Sequence, residues 1–121
     1  MEVLLDSNFI ISCVKRKIDF LSQLEDMGFR IIVPREVLQE MKDLRLKLPH
    51  GDKSAIDLGL QLIEKRKVKK VGIGTGKIDV HLIKMGQKGA YIATLDNAIK
   101  RAVPNKVFIS DAANTIKVER T

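Results

Sequence analysis

Short apolar runs separated by stretches of helical length limit this chain more than any other feature. Val3-Leu4-Leu5 ends abruptly at Asp6-Ser7-Asn8, and Ile31-Ile32-Val33 stops at Pro34. Val68 to Ile73, Tyr91-Ile92-Ala93 and Val107-Phe108-Ile109 are further runs of strand length. Continuous runs this short read as buried strands. Amphipathic stretches lie between them, near residues 17–27, 35–46, 53–66, 77–87 and 97–103. The alternation predicts an α/β fold with a parallel sheet covered on both faces.

The chain reads as a single domain spanning residues 1–121. At that length roughly two-thirds of the unfolded surface can be buried, so no metal or disulfide staple is needed. Leu48-Pro49-His50-Gly51-Asp52 is the longest turn-like stretch, but apolar segments continue on both sides, which makes it a loop within the domain. Cys13 is the single cysteine, which excludes a disulfide framework or a structural zinc centre and fits a reducing compartment. No apolar run approaches the roughly 18 residues that cross a bilayer, and Met1–Asp6 lacks the features of a signal peptide. The expected location is cytoplasmic, with no membrane partner.

The formal charge is +7, and it is unevenly placed. Residues 1–60 carry 9 basic and 10 acidic side chains, whereas residues 61–121 carry 13 basic and 5 acidic. The densest part is Lys65, Arg66, Lys67, Lys69 and Lys70, with Lys77, Lys100, Arg101 and Lys106 further along. Such a half-surface would attract a polyanion by neutralising phosphates and releasing counterions, although for a charge run alone a solvated helix end and turn is the plainer account.

In an open parallel sheet, ligands bind beyond the carboxyl ends of the strands. Asp6 follows the first strand directly, and Asp96 follows Tyr91–Leu95 in the same relation. Either residue could instead be a helix N-cap. The helix after Pro34 places Val37, Leu38, Met41 and Leu44 on one face, and at about 100° per residue Glu40 lies on its border, about 40° from Leu44. Asp79, with Leu82 and Ile83 at i+3 and i+4, is expected within an apolar face, as a cap or as a metal ligand at the core's edge. Asp6, Glu40, Asp79 and Asp96 can therefore converge at one end of the sheet. All four are hard oxygen donors with no His or Cys cluster competing, which suits Mg2+ or Mn2+ and metal-assisted cleavage of a phosphodiester.

These motifs, in this order, resemble those of the PIN-domain ribonucleases along nearly the whole chain. Val3-Leu4-Leu5-Asp6-Ser7-Asn8 is similar to the first acidic motif and Val33-Pro34 through Glu40-Met41 to the second. Asp79-Val80-His81-Leu82-Ile83 is similar to the third, and Tyr91-Ile92-Ala93-Thr94-Leu95-Asp96 to the fourth. The resemblance implies a three-layer α/β/α sandwich in which the first and fourth strands are neighbours. It also implies divalent-metal-dependent hydrolysis of single-stranded RNA, with the four carboxylates as catalytic metal ligands and Ser7, Asn8 and Thr94 in support. The third motif often carries two acids; here Asp79 stands alone between Ile78 and Val80. The Val-Pro before the glutamate helix and the Thr-x-Asp strand end look closest to archaeal and ribosomal-RNA-processing members. Toxin ribonucleases of the same fold bring an antitoxin partner, the processing branch a ribosome-assembly partner, and small members often form homodimers.

Other readings compete less well. Gly72-Ile73-Gly74-Thr75-Gly76-Lys77-Ile78 fails as a phosphate loop at both Val71 and Ile78, and a glycine-rich strand-to-helix turn explains it. A signalling receiver domain would need adjacent acids after the first strand and a Lys after the fifth, where Ile109 is followed by Ser110-Asp111. A PIN-like RNA-binding module without activity is the main alternative. His50 is expected in a loop and His81 on a helix surface, while Met27, Met41 and Met85 are expected in the core.

Overall fold

A computed structural model describes residues 1–121 throughout. Strand β1 (Glu2–Leu5) runs into helix α1 (Ser7–Lys15), followed by α2 (Phe20–Asp26), β2 (Arg30–Pro34), α3 (Arg35–Arg45) and α4 (His50–Lys65). The second half comprises β3 (Lys69–Val71), α5 (Ile78–Gln87), β4 (Tyr91–Ala93), α6 (Asn97–Ala102), β5 (Lys106–Ser110) and β6 (Thr115–Glu119). The sheet order is β3-β2-β1-β4-β5-β6, with every pairing parallel except the antiparallel β5–β6 hairpin. Strand order reverses at β1, which pairs with β2 on one side and β4 on the other. The chain's ligand-binding crevice is therefore expected beyond Leu5 and Ala93.

Strand alternation divides the core in two. Val3, Leu5, Ile31, Val33 and Ala93 join the larger cluster with Phe9, Ile10, Phe20, Leu24, Val37, Met41 and Ile56 from α1 to α4. Leu4, Ile32 and Ile92 face the other way and pack with Leu82, Ile99 and Val103, on α5, on α6 and just beyond α6. The sheet is thus flanked by helices on both faces. Cys13 is in the larger cluster, and burial pushes its thiol up to about 12, so it serves packing and not chemistry. Gly86 allows α5 to approach the chain leaving α6: a Cβ there would lie 2.4 Å from Val103 Cγ1.

Several local expectations are corrected. Residues 7–15 form a helix that periodicity does not reveal, because Phe9, Ile10 and Cys13 are buried while Ile11 and Val14 also pack on the core. A helix touched on most sides loses its polar stripe. The expected helix at 17–27 shrinks to α2, since Lys17 adopts φ 59° and Asp19 accepts from Ser22 N–H to start the helix anew. The expected loop at 48–52 is mostly the first turn of α4, with His50 as its first helical residue. Met41 is fully buried, but Met27 ends α2 and is 41% exposed, which takes it out of the core. Strand β6 was not foreseen.

Candidate active site

The acid at the end of β1 is anchored before any ligand is considered. Asp6 N–H donates to Ala93 O at 2.9 Å, extending the β1–β4 pairing by one step. Its Oδ1 accepts from Ser7 N–H at 2.9 Å and its Oδ2 from Thr94 Oγ1 at 2.8 Å. Asp6 is only 7% exposed. Burial raises its pKa above the usual carboxylate range, opposed by the Thr94 and Ser7 hydrogen bonds and reinforced by the charges of Glu40 and Asp96.

Asp96 is the N-cap of α6, its Oδ1 accepting from Ile99 N–H at 3.0 Å, while its own N–H donates to Thr94 Oγ1 at 3.1 Å. Thr94 therefore links the two strand-end acids through one fully buried hydroxyl. Ser7 Oγ donates to Glu40 Oε1, which ties α3 to the start of α1. Asp79 lies in the first turn of α5, where its Oδ1 accepts from Val80 N–H at 2.9 Å. It is exposed and not set within an apolar face; Leu82, three residues on, takes the buried position.

Asp6, Glu40, Asp79 and Asp96 line one cavity of about 400 Å³, together with Asn8, Gly76, Lys77, Ile78 and Ile99. No three acidic, histidine or cysteine side chains stand close enough, as placed, to ligate one ion directly. Magnesium takes only one or two carboxylates directly and keeps several waters, so acids spaced around a wet cavity, all oxygen donors, fit a hydrated ion. Ser7 and Thr94 lie beneath the cavity and Asn8 in its wall.

The glycine-rich turn between β3 and α5 forms the cavity's other wall through Gly76 and Lys77. Gly74 and Gly76 adopt φ of +110° and +95°, conformations that favour glycine. Glu36 pins the turn, accepting from Ile73 N–H at 3.0 Å and Gly74 N–H at 3.3 Å, and these bonds, that to Ile73 foremost, hold its carboxyl below the usual range. His81 Nε2 donates to Thr75 O at 2.5 Å. The helical pattern places Glu36 further towards solvent than Glu40 and gives it no role; its i, i+4 spacing to Glu40 and a loop with several free N–H groups were the available signals.

The basic residues divide by position. Lys65, Arg66 and Lys67 precede β3, at the sheet edge opposite the cavity. Arg66 is paired with Glu25 at 2.7 Å and Lys70 with Glu64 at 2.8 Å. Lys77 lies in the cavity wall, and Lys100 and Arg101 lie on α6. A second cavity of about 510 Å³ shares Asn8 and Asp96 with the first and continues past Lys15 and Arg16, two cations that the sequence reading did not single out.

A parallel α/β sheet with an acidic crevice at its strand-order reversal defines an open α/β domain with a candidate ligand site where such sheets bind their ligands. A family model described as a PIN like domain matches residues 3–109, and the chain belongs to that family, whose members are generally nucleases. Among solved structures it is similar to the PIN domain endonuclease Utp24, with a TM-score of 0.76 and 17% identity over 99% of this chain and 92% of that one. Comparison with curated protein sequences gave no match. No helix is long and apolar enough to cross a membrane.

Proposed function

We propose that this protein is a divalent-metal-dependent ribonuclease that hydrolyses phosphodiester bonds of single-stranded RNA in the cytoplasm. One observation carries the reading: a buried Asp6, disfavoured as an anion in isolation, shares a single cavity with Glu40, Asp79 and Asp96. Carboxylates gathered in this way repel one another unless a cation joins them. When bound, Mg2+ or Mn2+ supplies charge neutralisation, polarisation of a phosphoryl oxygen and a more acidic water.

The chain's own residues then have separable tasks. Asp6 and Asp96 offer the oxygens nearest the sheet, with Thr94 orienting Asp6 through its hydroxyl. Glu40, held by Ser7, and Asp79, on the far wall, would help to hold a hydrated ion in the cavity. Lys77 faces the scissile phosphate, and Lys100 and Arg101 hold the backbone beyond it. Lys65, Lys67 and Lys69, which form no ion pair, serve a longer RNA that wraps to the far edge.

The second reading is a PIN-like RNA-binding module without catalysis, favoured by the single acid of the third motif and by the absence of three preassembled ligands. The deciding experiment incubates labelled single-stranded RNA with the protein, with and without Mn2+, beside Asp6→Asn. Mn2+-dependent cleavage lost in the variant supports the enzyme. Binding without cleavage in any metal selects the module.

A further inference from the structure

The antiparallel hairpin leaves part of one sheet face without a helix over it. Val107, Ile116 and Val118 turn towards the larger core, so Phe108, Lys117 and Glu119 face the side of α5 and α6. Lys117 and Glu119 are exposed there, and Phe108 is half-buried. The other four aromatic residues, Phe9, Phe20, Phe29 and Tyr91, are all buried in the larger cluster. Phe108 is thus the aromatic ring that the core does not use.

Cations surround this ring. The Lys100 ammonium lies 5.6 Å from the Phe108 ring centroid, and Lys106, Arg101 and Glu119 complete a cavity of about 270 Å³. Lys117 is Phe108's register partner across the hairpin. None of these four cations forms an ion pair, whereas Arg66 and Lys70 in the denser basic run do. The cavity is also close to the acids: Lys100 N–H donates to Asp96 O at 3.0 Å, so the two residues are four apart on the helix, about 6 Å along its axis.

We propose that Phe108 is a stacking platform for a nucleobase of the RNA, with Lys100, Arg101, Lys106 and Lys117 taking the adjoining phosphates. The inference rests on the ribonuclease reading and adds a subsite to it. An aromatic face accepts any base, so the subsite holds single strands without reading sequence. Lys100 covers the ring in the free protein. An exposed cation–π contact is weaker than base stacking, so a base displaces the ammonium, which moves onto the phosphate.

The test uses fluorescence with metal withheld, so that RNA is bound and not cut. The chain has no tryptophan, and Phe108→Trp supplies a single reporter. Titrating it with a uridine dodecamer should quench its emission with near wild-type affinity. Phe108→Leu, which keeps the apolar packing but removes the ring, should weaken dodecamer binding about tenfold with an unchanged salt slope. Lys100→Ala with Lys106→Ala should instead lower the log-log salt slope by about 1.4. An unquenched tryptophan together with full affinity for Phe108→Leu overturns the subsite. Intact Mn2+-dependent cleavage beside that result leaves the ribonuclease reading standing, and a wild type that neither binds nor cleaves RNA overturns both.

Discussion

Thr94 occupies the position on which the two strand-end acids depend. Its hydroxyl donates to Asp6 and accepts from Asp96 N–H, with no exposure to solvent. Thr94→Val preserves the shape but leaves Asp6 without its strongest stabilising partner, so Mn2+-dependent RNA cleavage should fall at least tenfold. Asp6→Asn should abolish cleavage yet raise the thermal midpoint by a few degrees without metal, because a buried anion and its repulsion from Glu40 and Asp96 are removed. Asp96→Asn should also abolish cleavage at nearly constant stability, since Asn caps a helix as well as Asp. A large loss of folding in either variant would assign these residues to helix capping instead.

Asp6 and three carboxyls outside the cavity shape stability against pH. Asp6 has a raised folded pKa, so its contribution is fully present below the unfolded value near 3.8 and is lost as pH rises through the folded value. Glu36 is lowered by the Ile73 amide, Asp57 of α4 by the hydrogen bond it accepts from Arg45 Nε, and Glu64 by that from Lys70, so their contributions are present above their unfolded values and lost as pH falls through the folded ones. Metal-free protein should therefore gain stability as pH falls through the folded value of Asp6 towards 3.8 and lose it in stronger acid as the lowered carboxyls are protonated. Thermal melts across that range measure both arms, and Asp6→Asn should lack the first.

At the level of elements, the glycine-rich turn is the part most open to tuning. Glu36→Ala removes both acceptors for the turn's amides and should speed hydrogen exchange at Ile73 and Gly74. It should also lower kcat/KM by about tenfold through misplacement of Lys77, with Glu36→Gln restoring part of the loss. Gly86→Ala is a structural counterpart: the added Cβ collides with Val103 and should destabilise the domain by about 1–3 kcal/mol, measured by denaturant unfolding. The strand-helix alternation that organises these parts was legible in β1, β2, β4 and β5, because buried parallel strands are continuous apolar runs. Helix α1 was hidden by its apolar circumference. Strand β6 was legible in principle from the alternation Thr115-Ile116-Lys117-Val118-Glu119, with Asn114 at φ 50° in the turn before it. Asp79 shows the limit of periodicity: the stripe through Leu82 is real, but at a helix's first turn a side chain can sit on that stripe and still face solvent.

On the scale of the whole molecule, the proposed ribonuclease reading gives charge and sheet polarity a joint role in setting the direction from which RNA would arrive. Acids collect at the carboxyl edge of the strands, while the Lys65–Lys67 turn lies at the amino edge. Replacing Lys77 and Arg101 by alanine should therefore lower the salt slope of binding for a short oligonucleotide by about 1.4, whereas replacing Lys65 and Lys67 should matter only for longer RNA. Added Mn2+ should raise the stability of the wild type, by about 1.4 kcal/mol at ten times its Kd, and leave Asp6→Asn unmoved.

The hydrogen bond from Thr94 to Asp6 spans 88 residues of chain. During synthesis the first acid emerges from the ribosome early, but its neighbour in the sheet follows 88 residues later. The central strand must wait beside β2 with one edge unpaired, and closing the β1–β4 pair over so long a separation is intrinsically slow. A chain interrupted before Tyr91 therefore has neither the β1–β4 pair nor an assembled cavity.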